Sequence, residues 1–526
     1  YTDGTDGTPY SSSTYYYGYN MNFTRCPNIQ TVVCPSTTPP SIVEDIFANG
    51  PSKANITVRV PKFSVVDYKI NSYWQPFNIV PGEDTGYMLI NGDVSLANNR
   101  RPDSKSDIDI WPGGRLTVGG QAPLSIGQLN IWQNGQLLSQ CDAITADGIM
   151  TYYQINANTW YYFTPLYDVS LEQVEAIGND ALFIIRYYDG AARAQNGKNK
   201  ANNWKDVSDG MLHAGQGYIV QASKATTIAM PAGTASGSQL FRNADVTIPL
   251  QANTSTQTSN QGWNYVGNPY TTYFDTYCMD FDAPISIWDG SKWVGKRSID
   301  DDIVLGPMQA FFVQKPEDMD AIVFHKEGRQ FSSTPENRPV GARGSNGNTS
   351  RHLFNLLLSS GAQSDQTRVV INPQASLSYE LRCDAAKFMT AADDTPMLFT
   401  IDADGTPCSI NERPLANGSV TLGFTAPQGG ELTLSACRAD GPLWLTDHAT
   451  GQTTNLMTQP YVFFTEALEE PCTTRFTLSI GDATSGVEEI RVNTADTTVF
   501  YDLSGRRVTV PKLGLYIQNG KKCIVK

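Results

Sequence analysis

Four histidines, His213, His325, His352 and His448, are the first residues to weigh for chemistry, and they are scattered along the chain. No pair has the spacing of an H-E-x-x-H site or another paired metal-ligand set, so packing or surface roles are expected. No G-x-S-x-G nucleophile turn occurs. Gly215-Gln216-Gly217 lacks the following helix that a phosphate or dinucleotide site requires, and reads as a turn between strands. Asp300-Asp301-Asp302 offers oxygen donors that could help bind Ca²⁺, but its spacing fits no known loop and a solvated turn is the plainer reading. Asp3 and Asp6 in DGTDGT read the same way. Apart from such a Ca²⁺ ion, no cofactor is expected.

Two further sets could act on polysaccharide. Asp93, Arg100, Arg101, Asp103, Asp107 and Asp109 hold the carboxylates and bases that a lyase-like site would use. That grouping rests on composition, and a polar surface is the alternative. Trp160, Trp204, Trp263, Trp288 and Trp293 carry flat faces of the kind that stack on sugar rings. They fall at repeated strand positions, however, where core packing is the default. The run Tyr15-Tyr16-Tyr17 reads as an exposed or interaction segment.

The elements that would position these residues are mostly strands. With 526 residues the chain is long enough for three or four cores. Only 17% of residues are charged, which suits sheets whose outer faces carry hydroxyl and amide groups. Against 52 Asp and Glu stand 38 Lys and Arg, a net charge of −14. Nucleic acid and anionic membrane surfaces are poor partners for that balance. No stretch approaches the ~20 apolar residues that span a bilayer. The chain starts at Tyr1 without a signal peptide and is read as a mature or trimmed piece. Its 9 cysteines include no C-x-x-C pair. Cys26 and Cys34 are close enough for a local disulfide, and buried thiols are expected for most of the rest.

Residues 1–54 read as a Gly/Ser/Tyr-rich segment or solenoid cap. From 55 to 149, short apolar runs such as Ile56–Val60, Val94–Leu96, Ile108–Ile110, Leu116–Val118 and Leu129–Ile131 alternate with turns such as Pro112-Gly113-Gly114. This spacing suggests β-solenoid rungs, with an antiparallel sandwich as the alternative. Residues 150–328 contain an internal repeat. Each copy has an opening Trp strand, a strand ending in an Asp-Gly turn (Asp189-Gly190 and Asp289-Gly290), a second Trp, and a Gly-containing turn into an apolar strand. Two such halves packed face to face would make one sandwich. Ser170-Leu171-Glu172-Gln173 resembles a capping box and predicts a two-turn helix ending at Gly178. Residues 329–350 read as a linker and 351–480 as a second β-sandwich. The expected class is therefore all-β: an amino-terminal solenoid-like segment, tandem β-sandwich domains and a small carboxy-terminal β module.

That last module, 487–526, carries the most specific pattern. Tyr501-Asp502-Leu503-Ser504-Gly505-Arg506-Arg507-Val508, then Gly514-Leu515-Tyr516-Ile517, then Asn519-Gly520-Lys521-Lys522, read as short strands joined by turns. The stretch resembles the carboxy-terminal sorting domain of Bacteroidetes type IX secretion cargo. Lys512-Leu513 stands where many members have Pro before the Gly, and Cys523 where an aliphatic residue is usual. The preceding sandwich, with Asp384-Ala385-Ala386-Lys387-Phe388, Leu445-Thr446-Asp447 and Tyr461-Val462-Phe463, and the Trp-rich repeat are similar to segments of large Bacteroidetes surface proteins. The resemblance implies that Tyr501, Asp502, Gly505, Arg506, Arg507, Gly514, Tyr516, Ile517, Asn519, Gly520, Lys521 and Lys522 form a sorting signal. It implies the type IX machinery as partner, and a place at the cell surface or outside the cell. The expected function is a non-catalytic structural or adhesive protein, able to self-associate through open strand edges. A glycan-binding or lyase-like protein is the alternative.

Overall fold

The computed structural model describes residues 23–24, 26–82, 86–98, 101, 105–141, 144–197, 203–232, 240–336, 351–389, 395–415, 418–481, 500–502, 507–508, 514–518 and 521–525. The chain is all-β, with a β-solenoid of about 4 turns near its amino-terminal part and many separate sheets.

In the solenoid, apolar residues at alternate positions point inward and stack rung on rung. Met88, Ile108, Leu129 and Ile149 occupy successive parallel registers in one sheet. Val94, Leu116 and Leu137 do the same in the second. These side chains belong to one core cluster and are almost fully buried. The turn between the two faces needs glycine, because a Cβ on Gly114 would sit 2.2 Å from the Ile90 carbonyl oxygen. Parallel pairing begins inside the expected cap. Thr31–Val33 lies beside Thr57–Val60, which lies beside Asn78–Pro81. A short helix not anticipated from sequence, Val65–Ile70, packs Tyr68 into this end.

The strand Ile144–Ile155 runs through the expected 149/150 boundary. It pairs in parallel with the rung Leu124–Trp132 and antiparallel with Thr226–Pro231, so solenoid and first repeat share a sheet. The two copies have the same strand order. In the first it is Tyr161–Phe163, Tyr218–Ala222, Phe183–Tyr188, Trp204–Asp206; in the second, Trp263–Gly267, Ala310–Gln314, Ile285–Trp288, Trp293–Lys296. Aromatic rings meet between them. Tyr188 and Phe312 lie 4.7 Å apart, and Trp204 and Tyr265 5.5 Å apart.

Two local readings need correction. The expected helix at Ser170 is a single 3-10 turn, Leu171–Gln173, with no side-chain cap. Strand partners on both sides override the local signal: Ser170 pairs with Met211, and Glu175–Ile177 with the strand Thr226–Pro231. Conversely, Asp189-Gly190 is no hairpin turn. Asp189 accepts a bond from the Ala192 amide and opens the helix Gly190–Asn196, which Gly197 ends at φ 78°.

Arg329–Gln330, the first residues of the expected linker, pair with Tyr273–Phe274. From His352 to Ile480 a hydrogen-bonded strand path encloses a separate apolar core that includes Leu356, Val369, Leu422 and Phe476. In the carboxy-terminal module, Phe500–Tyr501, Arg507–Val508, Gly514–Gln518 and Lys521–Val525 form a four-stranded sheet. Tyr501 pairs with Arg507 and Ile517. Gly505, Arg506, Asn519 and Gly520 lie outside the described residues.

Candidate functional site

The histidines are placed apart. His213 bonds Asp209 at 2.9 Å, His325 lies between Asp245 (2.9 Å) and Asp280 (3.1 Å), His448 bonds Thr477 at 2.9 Å, and His352 is exposed. The bonds to Asp245 and Asp280 raise the His325 pKa above its ordinary value, against a smaller opposing effect of burial. Gly215-Gln216-Gly217 is one of the places where the two copies touch. Gly217 N–H donates to the Tyr265 carbonyl, and a Cβ at Gly217 would lie 2.4 Å from the Tyr265 ring.

The four solenoid candidates among the described residues, Asp93, Arg101, Asp107 and Asp109, do not converge. Asp93 pairs with Arg115 on one sheet. Asp107 and Asp109 stand on the other, where Asp107 accepts from the Gln128 amide at 2.7 Å. Asp109 is buried and accepts from Tyr87 (2.7 Å) and Asn130 (2.6 Å). Burial raises its pKa, against those two bonds. Arg101 donates to the Gly119 carbonyl at 2.7 Å. Arg100 and Asp103 lie outside the described residues, as do Asp3, Asp6 and Tyr15-Tyr16-Tyr17.

Asp300 and Asp301 form a seam between the second copy and the following β-sheet region. Arg351 grips Asp300 with two bonds of 3.0 Å, and Arg368 grips Asp301 at 2.8 and 2.6 Å. Glu412 accepts from Arg297 (2.8 Å), Arg351 (2.9 Å) and Asn372 (2.7 Å). Burial alone would raise the Asp301 pKa, but the bonds and charge of Arg368 overcome it and hold the carboxyl below 3.8. The oxygens proposed for Ca²⁺ at Asp300 and Asp301 are thus engaged by guanidinium groups. Among the described residues there is no cluster of three or more His, Cys, Asp or Glu able to hold a metal ion.

Of the tryptophans, Trp263 and Trp293 are buried as expected, and Trp204 and Trp288 pack against their cluster partly exposed. Trp160 instead lines a cleft of about 520 Å³ where the last solenoid rungs meet both copies. Tyr161, Tyr162, Tyr273 and Trp288 add rings, and Gln133, Asn134 and Gln309 add amides. Tyr162 and Trp288 come from different copies, their ring centroids 5.0 Å apart. Three lining residues have left-handed backbone: Asn134 at φ 67°, Gly290 at 106° and Met308 at 58°. Met308 is the unusual one, a bulky side chain in that region. Its carbonyl accepts from the Thr164 amide at 2.9 Å, which ties the second copy's turn to the first copy.

No family model, curated protein or solved structure matches the chain. The arrangement therefore has to speak through its own chemistry. Among the described residues lining the cleft there is no Asp, Glu, His, Cys, Lys or Arg. It can stack flat apolar faces and exchange hydrogen bonds with hydroxyls. The sequence reading missed it because it is built from turns of three regions. The Asn134-Gly135 and Gly306-Pro307 pairs were the local signals available.

The local disulfide weighed for Cys26 and Cys34 is not formed, and among the described cysteines only Cys141 and Cys408 are buried, fewer than expected. Cys26 and Cys34 are free thiols, and Cys34 Sγ lies 3.1 Å from the Tyr68 hydroxyl. No helix among the described residues is long and apolar enough to cross a membrane.

Proposed function

We propose that this is an exported, surface-displayed protein with a structural or adhesive, non-catalytic role. The observation that carries the reading is continuity. The solenoid shares a strand with the first copy, the copies share an aromatic interface, and the second copy is gripped by Arg351 and Arg368. Such joints suit a rigid spacer. The carboxy-terminal strands 500–525 would address the chain to the type IX machinery, as their resemblance implies. The test compares the full chain with one lacking 487–526 in a type IX-competent host, by surface labelling of intact cells. Surface exposure that needs the tail supports the reading. Equal exposure without it overturns the export route. Electron microscopy of the displayed material separates filaments or layers from single particles.

The cleft favours a second reading, in which the adhesive ligand is a glycan. Its rings and amides fit hexose faces and hydroxyls. Its uncharged lining, in a chain of net charge −14, favours neutral sugars over polyanionic ones. A glycan array followed by calorimetry tests this with Trp160→Ala and Trp288→Ala. Neutral glycan binding weakened at least tenfold by either variant supports the cleft. Binding indifferent to both counts against the cleft as the glycan site, and reducing-end release by the intact chain counts against a non-catalytic role.

A further inference from the structure

Away from the cleft, Lys387 and Asp365 face each other inside the region from 351 to 480. Their side chains are 1% and 0% exposed, and Nζ lies 2.5 Å from Oδ2. Burying two charges is costly unless every polar atom is satisfied, and here one is not. Asp365 Oδ1 has no hydrogen-bond partner among the described residues. Oδ2 carries the other contacts, accepting from the Leu398 amide at 2.7 Å. Burial pulls the Lys387 pKa below its ordinary value even with Asp365 opposing it. Transfer of one ammonium proton to Asp365, coming to rest on Oδ1, would remove both charges. It would leave a free amine against a carboxylic acid in a dry, fixed pair.

We propose that Lys387 and Asp365 are the site of an intramolecular amide cross-link. The Nζ lone pair attacks Asp365 Cγ, and negative charge develops on Oδ2, where the Leu398 N–H already donates. The Cγ–Oδ1 bond then breaks. Oδ1 keeps its own proton, takes one from Nζ, and leaves as water. One N–C bond forms, one C–O bond breaks, and nothing is oxidised or reduced. Fixed contact supplies the effective concentration that an amine and an acid lack in solution. Exclusion of water from the site opposes hydrolysis of the product. The link would join the strand Gln363–Ile371 to the segment after Ala385–Ala386. This inference does not depend on the export reading.

Mass spectrometry of the full chain, denatured and reduced, tests it directly. The expected intact mass is one water below the sequence mass. In a tryptic digest, the peptide 352–368 should appear joined to one that begins at Cys383 and is uncut after Lys387. Lys387→Met should restore the full mass. An intact mass equal to the sequence mass, with 352–368 recovered free, would overturn the proposal whether or not the variant folds. So would a water loss that maps elsewhere.

Discussion

The two copies of the repeat share a strand order yet are held by different means. The first copy is annexed by the solenoid through the ladder between Ile144–Ile155 and Thr226–Pro231. In the second copy, the strand after the repeat, Ala321–Phe324, pairs with the unrelated strand Val246–Pro249. That copy docks onward through charge as well as rings: Arg297, Asp300 and Asp301 face Glu412, Arg351 and Arg368, and Phe388 packs on Trp263, Trp293 and Phe312. Apolar alternation built the same sheet twice. What each sheet joins is set outside that shared pattern, by a ladder in one case and by ion pairs and rings in the other.

The sharpest way to break this contrast is Glu412→Ala. Arg297 is 7% exposed and would lose its carboxylate in a buried setting. The expected loss is about 3–5 kcal/mol, read by urea unfolding. On the first copy the matching insult is apolar. Ile228→Ala, in the strand Thr226–Pro231 that pairs with Ile144–Ile155 and only 1% exposed, should cost about 2–4 kcal/mol through the cavity it leaves. Adding 1 M salt should not rescue it.

Acid and base should act on the seam in opposite senses. The folded Asp301 pKa lies below 3.8, so its contribution is present above that value and fades as pH falls through the folded one. Asp384, whose carboxyl accepts the Glu412 amide at 2.7 Å, is pushed up to about 8 by burial. The folded state then binds a proton that the unfolded chain has lost, so this contribution fades as pH rises from 3.8 towards 8. In a pH series of unfolding midpoints, Asp384→Asn should flatten the fall between pH 3.8 and about 8, and Arg368→Met the loss on the acid side.

The smallest effects come from the two Asp-Gly pairs. Asp189→Ala should cost about 1 kcal/mol and strip hydrogen-exchange protection from 190–196. Asp289 instead receives the Ser291 and Lys292 amides in a hairpin turn. Asp289→Ala should cost about 0.5 kcal/mol and leave the Ile285–Lys296 ladder protected. Equal loss of protection at both places would mean that the dipeptide, rather than its context, governs.

That pair also shows what was legible in the sequence. The all-β class, the solenoid rungs and the repeat were readable because inward residues recur at short, regular spacing. The helix at Gly190 was missed because Asp-Gly looked like a turn, although Ala191-Ala192-Arg193-Ala194 favours helix once Asp189 caps it. The seam was beyond reach because Arg297 and Glu412 are 115 residues apart. Asp300-Asp301 therefore looked solvated. The cleft was hidden for a similar reason, since Trp160 differs from the core tryptophans only in what other segments place beside it.

The strand Ile144–Ile155 has a consequence for the order in which the chain can mature. If the chain emerges from its amino end, the solenoid finishes with this strand paired on one edge alone. Its second partner, Thr226–Pro231, arrives only after most of the first copy has appeared. For that interval a strand rich in Tyr and Ile offers an open ladder to any neighbour. A second emerging chain could answer it before its own residue 226 does, so the time between residues 155 and 231 sets how long the chain must be kept from its copies.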